Sequence, residues 1–429
     1  MKANNKHAGR SAIVISGVSA AMVVAVAATG ASAAPTPAPK PVSNASCAPT
    51  EGVSPTSITF GFVVPKTGPA APNFVGAAQG AQLRIDQENA KGGVNGRKIS
   101  FKVYDDQSSP TSQVAVAQQA IQSDQVFALG SATSTVSMYP TLKEAGIPIT
   151  GFNAQAFGQD RNAFSVVGVT LPPGITGLGG IQKLKALGVT RIANINHASA
   201  GATAAGNSTS GAIKLVPGVT ESLRITDEPQ GTHDATSTAL RIKNSQTDGA
   251  IIVGFIEGGV SIAQALAQQG VKLKGMSIVG LSDPAVLKTT GTALDGALGT
   301  NYGTVPVGVP NAAVRTMTNG MKAAGVNPYS ASAPIGYLAS DLFIRGLKEA
   351  GKCPTRALFI DKLRNVTNYN GGGLLPQKIS FKPGLTPNGN PVTCTWYMVA
   401  KGSELIADPK ATCGGTIVDT ATGKVVFQG

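Results

Sequence analysis

From residue 58 onward, short apolar runs alternate with helical patterns, and this alternation restricts the possible folds more than any other feature of the chain. "ITFGFVVP" reads as a buried strand, followed by a helix over about 75–90. "KISFKVYDD", "VFALGS" and "IPITGF" read as further strands, separated by the helical stretches "TSQVAVAQQAIQSD" and "VSMYPTLKEAG". Strand-length apolar runs alternating with helices of roughly 10–15 residues specify βαβ units and a parallel sheet. A second series starts near Leu171: "RIANIN", the helix "ATSTALRIKNSQ", "GAIIVGF", the helix "GGVSIAQALAQQG" and "MSIVGLSD". Two such series in succession predict an α/β chain of two similar doubly wound lobes with parallel-sheet cores. After residue 305 come three helical patterns and then a Gly/Pro-rich, strand-and-turn tail.

The first residues set the expected compartment. Lys2, Lys6 and Arg10 precede the apolar run "SAIVISGVSAAMVVAVAATG" and then "ASAAP". This is the pattern of a secretory signal peptide, here 1–33 with cleavage after Ala33. A retained membrane anchor is the competing reading, because the run approaches spanning length; the small-residue composition and the A-x-A site favour cleavage. Cys47 lies too far downstream for lipoprotein anchoring. Residues 34–55 are Pro-rich and read as a semi-extended tether. The protein is therefore expected in the periplasm, the cell envelope or outside the cell.

Cleavage removes three of the 35 basic residues and lowers the formal charge from +13 by three. The remaining charges are dispersed, with no basic cluster interleaved with aromatics, which argues against nucleic acid. Cys47, Cys353, Cys394 and Cys413 survive cleavage, and an even count in an oxidising compartment predicts two disulfides. Cys394 is able to pair with Cys413 across a hairpin-like segment or, about as well, with Cys353. There is no C-x-x-C, and only His197 and His233 remain, so no metal site or cofactor is expected.

The stretch "ENAKGGVNGRKISFKVYDD" (88–106) carries glycines and paired aspartates. A phosphate-cradling loop follows a strand and opens a helix. This one ends a helix and leads into a strand, so Gly92 or Gly93 suits a left-handed cap and Asn95-Gly96 a tight turn. Asp105 and Asp106 are adjacent on a strand end and point to opposite faces. They are poorly placed as an acid/base pair and are expected to cap a helix or face solvent.

Four stretches, "ITFGFVVPKTGPAA", "GAQLRIDQENAKGGVNGRKISFKVYDDQSSP", "ALGSATSTVSMYPTLKEAGIPI" and "GYLASDLFIRGLKEAG", resemble the type I periplasmic binding proteins. The likeness is to their Leu/Ile/Val-binding branch, which serves ABC importers, and the cysteine-bearing tail is similar to that of actinobacterial members. The resemblance implies two lobes joined by a three-crossing hinge, with crossings near Val166–Thr170, Asn301–Val305 and Phe381–Thr393. Lobe 1 would comprise 56–168 and 302–384, and lobe 2 would comprise 169–301 and 385–429. It implies a monomeric, non-enzymatic solute-binding protein that takes a small amino-acid-like or other organic ligand into the cleft, closes, and delivers it to a membrane permease. A sensor subunit and a secreted hydrolase are the alternative classes; the hydrolase finds no G-x-S-x-G or H-E-x-x-H here.

The resemblance also implies a pocket. The loop "GSATST" matches the family's carboxylate grip, with Ser134 as the key serine and Ser131, Thr133 and Thr135 beside it; helix capping is the structural alternative. Phe74 matches an aromatic wall. Phe152 and Asn153 stand where the family has small residues and a threonine, a departure from the usual amino-acid grip. In lobe 2 the family's aromatic position falls near Gly201, and His197 reads as a solvated loop residue. Phe255 and Glu257 match further contacts. Asp283, or Ser282 one residue earlier, matches the acid that meets an ammonium group, and Tyr302 stands at the second crossing.

Overall fold

The computed structural model describes residues 47–152 and 154–429. The signal segment and most of the tether lie outside the described residues. The first sheet contains β1 (Ser57–Val64), β2 (Lys98–Asp105), β3 (Ala128–Ser131), β4 (Ile149–Gly151) and β5 (Ala163–Ser165). All pairs are parallel, in the order β2-β1-β3-β4-β5. Strand β1 is buried on both faces, from Phe60 to Val64, because helices cover both sides of a parallel sheet.

A short β6 (Ile175–Gly177) precedes the second sheet. That sheet is built from β7 (Arg191–His197), β8 (Thr220–Glu228), β9 (Gly249–Val253), β10 (Gly275–Val279) and β11 (Ala297–Thr300), in the order β8-β7-β9-β10-β11. Strands β12 (Tyr397–Lys401) and β13 (Glu404–Ala407) extend it antiparallel beyond β11. A third sheet joins β6 to β14 (Thr416–Asp419) and β15 (Val425–Gln428). The molecule is an α/β fold of two lobes with parallel-sheet cores.

One side of the first sheet is covered from far along the chain. The helix Ala333–Ala350 starts at a serine with proline in its first turn and ends at Gly351, whose φ is 77°. It crosses the helix Ala77–Ala90 closely because both carry glycine there: a Cβ on Gly336 would lie 1.8 Å from the Ala77 carbonyl oxygen. Phe343 stacks on Phe60 of β1 at 4.1 Å between ring centroids, and Phe127 and Phe359 close around them.

The chain passes between the two large sheets three times: after β5, after β11 and before β12. These segments run side by side. A Cβ on Gly168 would meet Val392 at 2.6 Å, and one on Gly303 would lie 3.4 Å from Val167.

The glycine run behaves as punctuation. Gly92 and Gly93 have positive φ, and Val94 and Arg97 exchange both backbone hydrogen bonds around Asn95-Gly96, at φ 50° and 80°. One element departs from expectation. "AGATAAGNSTSGAIKL", which has no apolar stripe, forms the helix Ala200–Leu215, started by Ser199 accepting from the Ala202 N–H. Its glycines permit close packing: a Cβ on Gly206 would strike Asn196, and one on Gly211 would meet Thr420 at 2.5 Å. The disulfides are Cys47–Cys353 and Cys394–Cys413, so the Cys353–Cys394 alternative is excluded. The first closes a sequence separation of 306 and pins the end of the tether onto lobe 1.

Candidate ligand-binding cleft

Both sheets share one winding order, with the first strand of the series between the second and the third. In such sheets the crevice beyond the strands' carboxyl ends opens where the order reverses. That point lies between β1 and β3 in lobe 1 and between β7 and β9 in lobe 2. The loops after β1 and β3, and those after β7 and β9, are therefore the natural lining of a cleft.

In lobe 1, Asp106 organises the loop after β3. It is fully buried, contrary to the expected capping or solvated role. Its carboxylate accepts from Gln113 Nε2 at 3.1 Å, Ser108 N at 3.1 Å and the Thr133 hydroxyl. Gln113 also donates to the Thr135 carbonyl at 2.9 Å and accepts from the Met138 N–H. Thr133 is thereby turned inward and receives the Thr135 N–H. Ser131 is likewise buried, with its hydroxyl 3.3 Å from that of Tyr139. Both hydroxyls are thus committed inside the lobe. The helix that follows starts only at Tyr139, with Met138 as its uncapped N-cap, so these hydroxyls neither cap it nor open it as an anion cradle. Thr135 is buried, and Ser134 alone of the four is exposed.

Asp105 faces the other way. Burial opposes its ionisation, but donors from Gln107 N, the Thr67 hydroxyl and Lys66 N outweigh burial and lower its pKa. It ties the β1 and β2 loops together and forms no pair with Asp106. Phe74 is buried in the lobe 1 core, and Asn153 lies outside the described residues. Phe152 is also buried, with its ring 5.7 Å from that of Tyr302.

Tyr302 links the two sides. It sits on the second crossing at φ 41°, followed by Gly303 at 84°, a conformation that costs a non-glycine residue energy and is kept where the surroundings enforce it. A Cβ on Gly280, just beyond β10, would lie 3.3 Å from the Tyr302 hydroxyl. Burial, and then the negative charge of Glu257, push the phenol up to about 12.

In lobe 2, His197 is 1% exposed, so the expected solvated histidine is in fact a core residue. It is the last residue of β7, and its Nδ1 accepts the Phe255 N–H at 2.7 Å. That bond fixes Phe255, which packs against the lobe 1 core, and with it the helix Ile256–Gln268 carrying Glu257 in its first turn. Glu257 is half-buried, and its carboxylate has no hydrogen-bond partner among the described residues. Behind His197, buried Glu228 meets His233 Nε2 at 2.8 Å and accepts the Thr238 hydroxyl.

Burial pulls the His197 imidazole down to about 4, with the Glu228 charge opposing that and the His233 charge adding to it. The folded state thus holds neutral His197 while the unfolded chain takes up a proton near 6.5. The resulting stability is fully present above pH 6.5 and is lost as pH falls towards 4, on the order of 3 kcal/mol. In His197→Asn the amide oxygen accepts the Phe255 N–H but does not titrate. Urea unfolding at pH 7 and pH 4.5 should show a smaller acid loss in this variant than in wild type, and equal losses would sink the assignment.

Asp283 has both oxygens engaged. One accepts the Ala285 N–H at 2.8 Å, and the other accepts Asn327 Nδ2 at 2.6 Å. Its neighbour Ser282 donates to the Tyr329 carbonyl at 2.9 Å. Asn327 and Tyr329 follow the helix Ala312–Ala323, which packs beside the helix Ala77–Ala90. These bonds therefore join lobe 2 to lobe 1, a linkage with no signal in the sequence. Gly201 is exposed, in the first turn of its helix.

Comparison with known proteins agrees with this geometry. A Leu/Ile/Val-binding protein homolog of Brucella melitensis is 24% identical over 300 residues, covering 68% of this chain and 79% of the relative. A branched-chain amino acid ABC transporter protein of Thermus thermophilus with bound valine superimposes with a TM-score of 0.69 at 14% identity, covering 83% and 96% of the two chains. A fatty acid ABC transporter substrate-binding protein of Thermomonospora curvata superimposes at 0.70 and 18% identity, covering 89% and 97%. The sequence profile of the periplasmic binding proteins matches residues 57–404, and the chain belongs to that family, of the type I, Leu/Ile/Val-binding branch: a solute-binding protein and not an enzyme.

Proposed function

We propose that this protein is the exported, monomeric binding component of an ABC importer. It captures a small organic carboxylate of amino-acid type between its lobes and presents the closed form to a membrane permease. The observation that carries this reading is Tyr302, a crossing residue whose ring meets Phe152 of lobe 1 and whose hydroxyl lies beside Gly280 of lobe 2. A ligand touching both lobes favours the closed state by its differential affinity, with no covalent chemistry. Bending is assigned to the three adjacent segments near Val166–Thr170, Asn301–Val305 and Phe381–Thr393, with lobe boundaries at 168/169, 301/302 and 384/385.

Valine and a fatty acid, the ligands named for two of the relatives, share a carboxylate and an apolar body and differ in the ammonium group. In this chain Ser134, exposed on the loop that Asp106 and Gln113 hold, is the hydroxyl suited to the carboxylate. Phe152, Phe255 and Tyr302 suit the apolar body. Glu257, rather than the doubly engaged Asp283, is the carboxylate left for an ammonium.

Calorimetric titration of leucine-like amino acids and of their deaminated analogues tests this. Glu257→Gln should weaken amino-acid binding about 10- to 100-fold, the loss of one charged hydrogen bond, and leave the deaminated acids little changed. If Asp283→Asn has that effect and Glu257→Gln does not, the ammonium role belongs to Asp283. No heat with either class sinks the carboxylate reading.

A further inference from the structure

A second concavity, of about 240 Å³, lies on lobe 1 where the described chain begins. Pro49, Val53, Pro55 and Pro354 and the Cys47–Cys353 disulfide wall it, and Thr50 and Arg97 are the polar members of the lining. Arg97 immediately precedes β2, whereas the cleft opens at that strand's far end. Eight extended residues separate the two by roughly 25 Å.

Arg97 is unusual for a cation. The residue is 1% exposed, yet no carboxylate lies within salt-bridge distance of it among the described residues. Nε donates to the Ser54 carbonyl and Nη1 to the Lys352 carbonyl, each at 2.9 Å. Nη2 is buried and has no partner among the described residues. Burial lowers the pKa of the guanidinium with nothing to offset it, although an arginine remains charged in any case. A buried charge is disfavoured unless paired and hydrogen-bonded. Here the two neutral carbonyls fix the orientation of the fork and, among the described residues, leave one donor and the charge uncompensated beside a pocket walled by proline, valine and a disulfide.

We infer that this pocket is a second binding site, which takes a small oxyanion with an apolar body, of the short-carboxylate class. The carboxylate balances the guanidinium charge from the pocket side, and the alkyl or aryl part packs on the proline walls. Because Cys47 and Cys353 form part of the enclosure, the site exists only with that disulfide closed. Occupancy would reinforce the attachment of the tether to lobe 1.

Thermal unfolding of the purified protein with propionate, benzoate, phosphate or chloride at fixed ionic strength tests the inference. Ligand bound to the native state raises the apparent Tm with its concentration. Propionate and benzoate should raise Tm in wild type, and chloride should not; a response to phosphate alone replaces the carboxylate class and overturns the assignment. Thr50→Glu places a carboxylate on the wall of the pocket that Arg97 lines, without removing a core group. It should weaken the propionate response at least tenfold while leaving amino-acid binding in the cleft intact, and reduction should abolish the response in wild type. An equal response in wild type and Thr50→Glu would assign carboxylate binding to the cleft and overturn the second site, as would the absence of any carboxylate response.

Discussion

Phe343→Ala should destabilise lobe 1 by about 3–5 kcal/mol, the range for removing a fully buried aromatic ring. Phe343 stacks flat on Phe60 of β1 and borders Phe127 and Phe359, all of them fully buried. A cavity there is surrounded by a central strand and two helices and has little freedom to collapse. Denaturant unfolding followed by circular dichroism measures the loss. Phe343→Leu, which keeps much of the volume, should lose clearly less. A loss under about 1 kcal/mol for the alanine variant would mean that the site repacks and that the aromatic cluster is not what fastens the helix Ala333–Ala350 to the sheet.

The second large effect is expected at Arg364, the last residue of the helix Arg356–Arg364. This guanidinium is also buried without a carboxylate partner among the described residues. Its donors are spread over backbone carbonyls: Arg161 at 3.0 Å, Asn388 at 3.3 Å, Asp160 at 3.2 Å and Ala163 at 2.5 Å. Its plane lies 4.0 Å over the Phe164 ring. Burial and then the neighbouring Arg161 charge bring its pKa down to about 9. Asn388 reaches the same carbonyls from the third crossing, with Nδ2 2.7 Å from the Asp160 oxygen. Arg364→Met preserves bulk but strips the Arg161 and Asn388 carbonyls of their side-chain donor, leaves those of Asp160 and Ala163 to Asn388, and should cost about 3–5 kcal/mol. Arg364→Lys should recover only part of this, because one ammonium does not reproduce a planar fork. A methionine variant as stable as wild type would show that burying the charge costs as much as its bonds return.

Much of the architecture is legible in the sequence because the strands of a doubly wound sheet are short and apolar. The runs around Phe60–Val64, Ile192–Ile195 and Ile251–Val253 announce themselves, and so does the strongly patterned helix Ala333–Ala350. The helix Ala200–Leu215 does not. Its glycines and its Asn207–Ser210 run have poor helical propensity, and its packing depends on glycines that only tertiary contact explains. The tail reads as strands and turns, but the pairing of β14 with the distant β6, and of β15 with β14, is not legible in it.

At the cleft, strand ends can be located in advance, but side-chain direction cannot. Ser131 and Ser134 are three residues apart, yet one is sealed against Tyr139 and the other is exposed. The buried Asp106–Gln113–Thr133 network makes that choice, and nothing local in the sequence specifies it. His197 looks like a loop histidine until β7 is seen to continue to it, with the Phe255 N–H aimed at its ring. Asp283 reads as an acid free to meet a ligand, and its bond with Asn327, 44 positions further on, is not legible in the sequence.

The cover of the first sheet also fixes an order of events during synthesis. Strand β1 is made early, but the helix that shields Phe60 arrives some 270 residues later. Between them the ribosome produces β7 to β11, a nearly continuous sheet whose neighbours in space are neighbours in sequence. Lobe 2 therefore has most of its partners before lobe 1 has its lid, and contacts that close such long loops are the slow ones. Until residue 350 has been translated, this face of β1 lacks its cover and remains an apolar surface.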